Sequence, residues 1–270
     1  MLRTMLASVL TVTLTAGAAF GFACIQTSGG QCIHWAQHAA TLHSFLGNPG
    51  DQSALSAAGE WNAVGADFHF DASVGGQFFD PCGALGPNHI CSNTGPIGDN
   101  PVLFASTFCG QGFGDIIELT NDCWNGGTGE IFNAPVFVNN TVQLDVYDGP
   151  LHFANGQLVY DVRRVLLHEF GHVLGLDHPD AHGQNVMAIM NSHVSNLDRL
   201  QQDDINGIFS LYGGGGTPSG NSATPTNGCQ IDARPATPAM FVLLVPLLLA
   251  MRSVRRRAAP LTARETRPRQ

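Results

Sequence analysis

Apolar and polar positions organise this chain before any motif is noticed. Ala40–Leu46 reads as a strand, ended by Gly47-Asn48-Pro49-Gly50. Gln52–Ala63 reads as a helix carrying Trp61, with Asp51 or Ser53 as its cap. Asp67–Asp71 sets Phe68 and Phe70 on either side of His69, the period-two pattern of a strand. A strand, a helix and a strand of these lengths predict a parallel crossover. Residues 72–100, rich in Gly, Pro and Asn, read as loop. Val102–Thr107, Asp115–Thr120 and Ala134–Asn139 supply three further strands. Two more helices follow. One is capped by Asp161 and buries Val162, Val165, Leu166, Phe170 and Val173; the other spans Leu200–Tyr212. These elements make up the body, residues 24–213.

Two apolar runs stand apart from this body. Arg3, the small and apolar stretch Met5–Ala19, and Gly21-Phe22-Ala23 have the layout of a signal peptide over 1–23. Cys24 lacks the upstream branched aliphatic of a lipoprotein signal, so simple export is expected. Residues 214–235 form a Gly/Ser/Thr/Pro linker, and 236–257 a hydrophobic segment with an arginine cluster. Its apolar core, Ala239–Met251, is interrupted by Pro246. At about 1.5 Å per residue it spans roughly 20 Å, short of a ~30 Å hydrocarbon layer. Arginines after the run place the tail, 258–270, in the cytoplasm and the body outside.

Composition sharpens the partners. The chain has 44% hydrophobic residues, enough for a substantial core, and no lysine. Seven of the twelve arginines lie in the last nineteen residues. Between residues 24 and 235, twenty acids face four arginines, a balance of −16. Such a surface excludes nucleic acid as a partner and weakly favours cationic substrates. Cys24, Cys32, Cys82, Cys91, Cys109 and Cys123 are an even set, as expected of a disulfide framework in an exported protein. Six cysteines allow fifteen pairings. Spacing favours near neighbours, so the expectation is Cys24–Cys32, Cys82–Cys91 and Cys109–Cys123, with Cys229 left over in the tail.

The chemistry concentrates in His168-Glu169-Phe170-Gly171-His172-Val173-Leu174-Gly175-Leu176-Asp177-His178. On a helix His168 and His172 lie one turn apart on one face. Gly175 suits a left-handed helix end, after which the chain can return His178 to the same point. Three imidazoles can hold a tetrahedral Zn²⁺ and leave one position open. Glu169 lies beside it as the base for a water held there.

This H-E-x-x-H-x-x-G-x-x-H run resembles the metzincin signature. Tyr160-Asp161-Val162-Arg163-Arg164, Gln202-Asp203-Asp204-Ile205-Asn206-Gly207-Ile208 and Leu211-Tyr212-Gly213 are similar to the matrixin branch. The resemblance implies an α+β, zincin-like domain, with a twisted, mixed five-stranded sheet, an edge strand at the cleft, an active-site helix and a C-terminal helix. It implies Ala134–Asn139 as the edge strand that takes up an extended peptide. It also implies a methionine turn beneath the ligands at Met190, with Met187 as the other choice. The implied activity is zinc-dependent hydrolysis of protein or peptide substrates by a monomer, with catalytic Glu169 and metal ligands His168, His172 and His178.

Asp80-Pro81-Cys82-Gly83 echoes the matrixin cysteine switch, but it lies inside the body beside disulfide partners. The family's second zinc pattern is absent. Ca²⁺ through Asp115, Asp122, Asp145 or Asp148 stays open, without a calcium-loop motif. His34 and His38 share helical spacing and His43 follows, but without a Glu between them they read as ordinary histidines rather than a second metal site. Gly228-Cys229, the apolar run and the arginines resemble bacterial C-terminal sorting tags of the Myxo-CTERM kind, implying delivery to the cell surface or medium. An unprocessed membrane anchor is the alternative, and the membrane is touched only through this segment. The competing functional reading is a silent surface adhesion module on a metzincin scaffold.

Overall fold

The computed structural model describes residues 21–83, 91 and 98–213. Most of the expected leader, all of the linker, the hydrophobic segment and the tail lie outside the described residues. So does most of the Gly-rich 84–97 stretch. The central sheet contains β1 (Ala39–Ser44), β2 (His69–Val74), β3 (Asp99–Ala105), β4 (Glu118–Thr120) and β5 (Val136–Asn139). Their order is β2-β1-β3-β5-β4. The first four in this order run parallel, and β4 closes the sheet antiparallel to β5 with Leu119 opposite Phe137. The mixed five-stranded sheet of the sequence reading is present.

One expectation about it fails. Ala134–Asn139 does not form the edge. All four residues of β5 are buried, because neighbouring strands flank it and both its faces are covered. A continuous apolar run such as Val136-Phe137-Val138 is what a doubly covered strand requires. The edge is β4, whose more polar Glu118-Leu119-Thr120 tolerates one open side.

Helix α1 (Gly50–Ala63) crosses from β1 to β2 as expected, and lays Ala54, Ala57, Ala58 and Trp61 into the core. Its cap differs from expectation. The helix begins behind Pro49 without a side-chain cap. Asp51 is buried in the first turn, where its Oδ1 accepts from Ser44 Oγ at 2.7 Å and Leu46 N at 3.1 Å. The acid therefore ties the helix to the end of β1 instead of closing its own turn. Asn62 locks the other end onto β2, donating to Phe70 O at 2.9 Å and accepting from Phe70 N at 2.8 Å.

Helix α2 (Val162–Val173) lies beneath the sheet beside α1, and α3 (Gln202–Tyr212) follows a long loop. Asp161 caps α2 as expected, accepting from Arg164 N at 3.0 Å. A small three-stranded sheet formed by Gln143–Asp145, His152–Ala154 and Gln157–Asp161 leads into it.

The disulfides pair Cys24 with Cys32, as expected, but Cys82 with Cys109 and Cys91 with Cys123. The nearest-neighbour expectation for these four cysteines is thus replaced by two longer links. Cys123 lies in a short strand paired with Ile131–Asn133, and Cys109 in the turn after β3. Each draws in one cysteine of the 82–91 stretch. Chain separation governs loop-closure entropy only weakly, so spacing could not outweigh this tertiary placement.

Candidate metal centre

The end of α2 is built by remote groups. A helix leaves its last carbonyls without partners. Here Trp35 Nε1 donates to Val173 O at 2.7 Å, the Tyr212 hydroxyl to Leu174 O at 2.6 Å, and Ile25 N to Gly175 O at 2.9 Å. Gly175 adopts φ +97, and a Cβ there would stand 2.5 Å from Ile33 O. Only glycine meets both demands. Beyond it Leu176–Asp177 pairs antiparallel with Ala23–Cys24, which carries the chain back toward α2. The three residues before the expected cleavage point are packed here too. Gly21 lies against Val186 and Asp203, and Phe22 O accepts from Gln184 Nε2 at 3.3 Å.

This return brings the three histidines together. The Nε2 atoms of His168, His172 and His178 are 3.0–3.1 Å from one another. His168 Nδ1 donates to Ile189 O at 2.7 Å, and His172 Nδ1 to Leu176 O at 2.8 Å. The carbonyls fix each hydrogen on Nδ1, so the Nε2 lone pairs point inward at each other. Burial, followed by the neighbouring imidazoles, lowers His168 and His172 to about 4, so both rings are neutral at pH 7. Three ring nitrogens this close together suit a cation held between them. An ion at 2.0–2.1 Å from three tetrahedral corners sets its nitrogens about 3.3 Å apart, close to what is found. The donor set fits zinc. Asp177 accepts from His178 N at 2.8 Å and from His182 Nε2 at 2.9 Å, steadying the backbone at His178.

Met190 is buried under the ligand helix, and a Cβ on Gly171 would stand 2.1 Å from its Sδ. Met187 is 73% exposed. Asp204, in the first turn of α3, accepts from Ile189 N at 2.9 Å, Met190 N at 3.1 Å and Gln201 N at 2.7 Å. Its carboxylate holds the backbone at Ile189 and Met190, and Ile189 supplies the carbonyl that orients His168.

Glu169 is 4% exposed and lines the same cleft, a cavity of about 430 Å³. Residues 115–120 form one wall, and Ile189 to Leu197 contribute to the other. Thr120 Oγ1 lies 2.7 Å from Glu169 Oε2 and 3.1 Å from Glu169 O. The sequence reading missed this residue. Thr120 and Glu118 occupy alternate positions of β4, so they share the face toward α2. Glu118 is buried with neither carboxylate oxygen partnered. Burial, then the Glu169 charge, raises Glu118 and Asp122 well above the usual carboxylate range.

His34, His38 and His43 do not meet. Their partners are Cys32 O, Asp67 and the Ser73/Asp99 pair, respectively. Among the described residues only His168, His172 and His178 converge as a group of three or more potential ligand side chains; Asp115, Asp122, Asp145 and Asp148 do not gather into one. Cys82 is held in a disulfide, so no free thiol remains there for a cysteine switch.

Comparison with known proteins agrees with this geometry. The matrixin family's sequence model matches residues 38–213, well over half of the chain. Metalloendoproteinase 5-MMP of Arabidopsis thaliana is 40% identical over 75 residues, covering 27% of this chain and 20% of that protein. Matrix metalloproteinase-23 of Homo sapiens is 30% identical over 104 residues, 36% of this chain and 26% of the relative. Interstitial collagenase of Equus caballus is 43% identical over 68 residues, 24% of this chain and 13% of the relative. The matches thus span about a quarter or less of these relatives' length. Among solved structures, myroilysin aligns with a TM-score of 0.33 and 12% identity, over 66% of this chain and 85% of that one. The family match and the signature residues that the fold brings together give one assignment: the chain belongs to the matrixin family.

Proposed function

We propose that this protein is a zinc-dependent endopeptidase that cleaves protein or peptide substrates in the cleft between β4 and the 189–197 loop. The observation that carries the reading is the convergence of three imidazole Nε2 atoms at 3.0–3.1 Å in the cleft that also holds Glu169. His168, His172 and His178 would hold the ion. When bound, zinc lowers the pKa of a water toward ~7 and polarises the scissile carbonyl.

The rest is done by this chain's own groups. Glu169 Oε1 has no protein partner among the described residues, while Oε2 is held by Thr120. The free oxygen takes the proton from the attacking water and delivers it to the leaving amine nitrogen. The open edge of β4 offers backbone groups to an extended substrate, which lies along it as an added strand. Ile189 O keeps the His168 ring oriented while the substrate binds.

Export is part of the same proposal. Three disulfides fit an oxidising compartment, and the N-terminal pattern fits a secretory leader. No helix among the described residues is long and apolar enough to cross a membrane. Surface delivery therefore rests on the C-terminal segment, with its sorting-tag pattern. The decisive test is a peptide library offered to the zinc-loaded protein and to Glu169→Gln. Wild type cleaves, chelation stops it, and the variant binds zinc but loses hydrolysis by several orders of magnitude. Cleavage by the variant at the wild-type rate would end the reading.

A further inference from the structure

We infer that Thr120, on the edge strand, is a positioning residue for Glu169, fixing which of its carboxylate oxygens faces the attacking water. This deepens the proposed peptidase reading and rests on it. Glu169 projects from α2, and a carboxylate on a helix has three torsions to settle. Among the described residues, its only side-chain hydrogen bond comes from Thr120 Oγ1, at 2.7 Å to Oε2.

The same hydroxyl lies 3.1 Å from the Glu169 carbonyl oxygen, and one hydroxyl has one proton to give. The shorter contact to the charged acceptor wins it, because charge-assisted bonds are shorter and stronger than neutral ones. The carbonyl contact is then the weaker one, and the carboxylate is the group the hydroxyl orders.

The surroundings make this single donor matter. Glu118, two residues before Thr120 on the same face, is buried with neither carboxyl oxygen in hydrogen-bond contact, so it gives Glu169 no hydrogen bond. Asp122, two residues after, has one buried oxygen without a partner. Neither flanking acid is hydrogen-bonded to Glu169, and the Thr120 hydroxyl is the group there that holds it. Backbone pairing sets Thr120 opposite Val136 in the sheet, so the donor is delivered by a rigid element. With Oε2 engaged, Oε1 is left to face the cleft and receive the proton. Holding a base in place to within a fraction of an ångström is worth a large factor in rate.

The experiment compares Thr120→Val and Thr120→Ser with wild type, all zinc-loaded, on one quenched-fluorescence peptide chosen from the library. Val keeps the branched shape and removes the hydroxyl, whereas Ser keeps the hydroxyl and removes the methyl. Thr120→Val is expected to lower kcat about ten- to a hundredfold, with KM, zinc content and melting temperature close to wild type. Thr120→Ser is expected to recover kcat to within a few-fold. A wild-type kcat in Thr120→Val overturns the proposal. So does a loss shared equally by Thr120→Ser, or one that follows lost zinc or lost stability. If wild type itself cleaves nothing, the peptidase reading fails on its own. A crystal structure of the zinc-loaded protein then judges Thr120 directly, and a Thr120 Oγ1 to Glu169 carboxylate distance beyond hydrogen-bond range overturns its role.

Discussion

Gly171 is the point on α2 that faces Met190, and its replacement by alanine separates two effects of opposite sign. In a helix interior, Gly→Ala normally stabilises by about 0.8–1.0 kcal/mol, because the unfolded chain has less freedom to lose. Here the new Cβ would stand 2.1 Å from Met190 Sδ, 3.0 Å from Cε and 3.3 Å from Cγ. An ordinary carbon–sulfur contact is near 4 Å, so the sulfur must retreat by roughly 1.5 Å or more. It has little room to do so. Met190 is 2% exposed, and its backbone N–H is held by Asp204 at 3.1 Å. Overpacking of this kind costs about 1–3 kcal/mol, and the upper end applies. The net expectation for Gly171→Ala is a loss of about 2 kcal/mol, or about 4–8 °C for a domain of this size.

The Met190→Ala background removes the obstacle, at its own cost of about 2–5 kcal/mol. There Gly171→Ala should become stabilising by up to about 1 kcal/mol, giving a coupling energy of roughly 3 kcal/mol. Urea unfolding followed by the fluorescence of buried Trp35 and Trp61 measures all four proteins, with disulfides intact and zinc saturating throughout. If Gly171→Ala stabilises the wild-type background, or shifts both backgrounds equally, the contact between the helix and Met190 does not exist as described.

Four further outcomes are expected. Asp204→Ala strips three backbone N–H groups of their acceptor, and thermal unfolding should show a loss of about 3 kcal/mol. Peptide mapping by mass spectrometry without reduction should yield Cys82–Cys109 and Cys91–Cys123 fragments; a Cys82–Cys91 fragment would contradict the fold of that region. In the metal-free protein, His168 and His172 titrate near 4 when folded and near 6.5 when unfolded, so between these values the unfolded chain binds more protons. Melting temperature of the chelated protein should therefore be highest above pH 6.5 and fall as the pH drops toward 4. Adding zinc at 100 times its dissociation constant should stabilise the chelated protein by about 2.7 kcal/mol at pH 7 and restore cleavage, and a scan showing neither effect would count against the metal centre.

Much of this protein is local, and local features can be read directly from the sequence. His168 and His172 share a helix face whatever surrounds them, because 3.6 residues per turn decides it. Asp161 caps α2 through a contact only three residues long. Gly175 marks the reversal because few other residues accept φ +97. Five strands and their approximate positions follow from alternation and from turn residues, and the branch of the family follows from short motifs around 160–213.

What escaped the sequence depends on which distant segments meet. Val136–Asn139 and Glu118–Thr120 both read as strands, but only the assembled sheet makes the first central and the second an edge. Asp51 looks like a cap until β1 approaches with Ser44 and Leu46 to take its carboxylate. The cysteines of 82–123 pair by position in space, where loop length counts for little. Thr120 lies 49 residues from Glu169, and no periodicity links them. Sequence by itself determined that three histidines meet, since His168, His172 and His178 sit on one turn and its immediate return. Only the tertiary structure determined what surrounds that cluster, because a strand edge, a remote donor and a cross-link exist only after the chain has closed on itself.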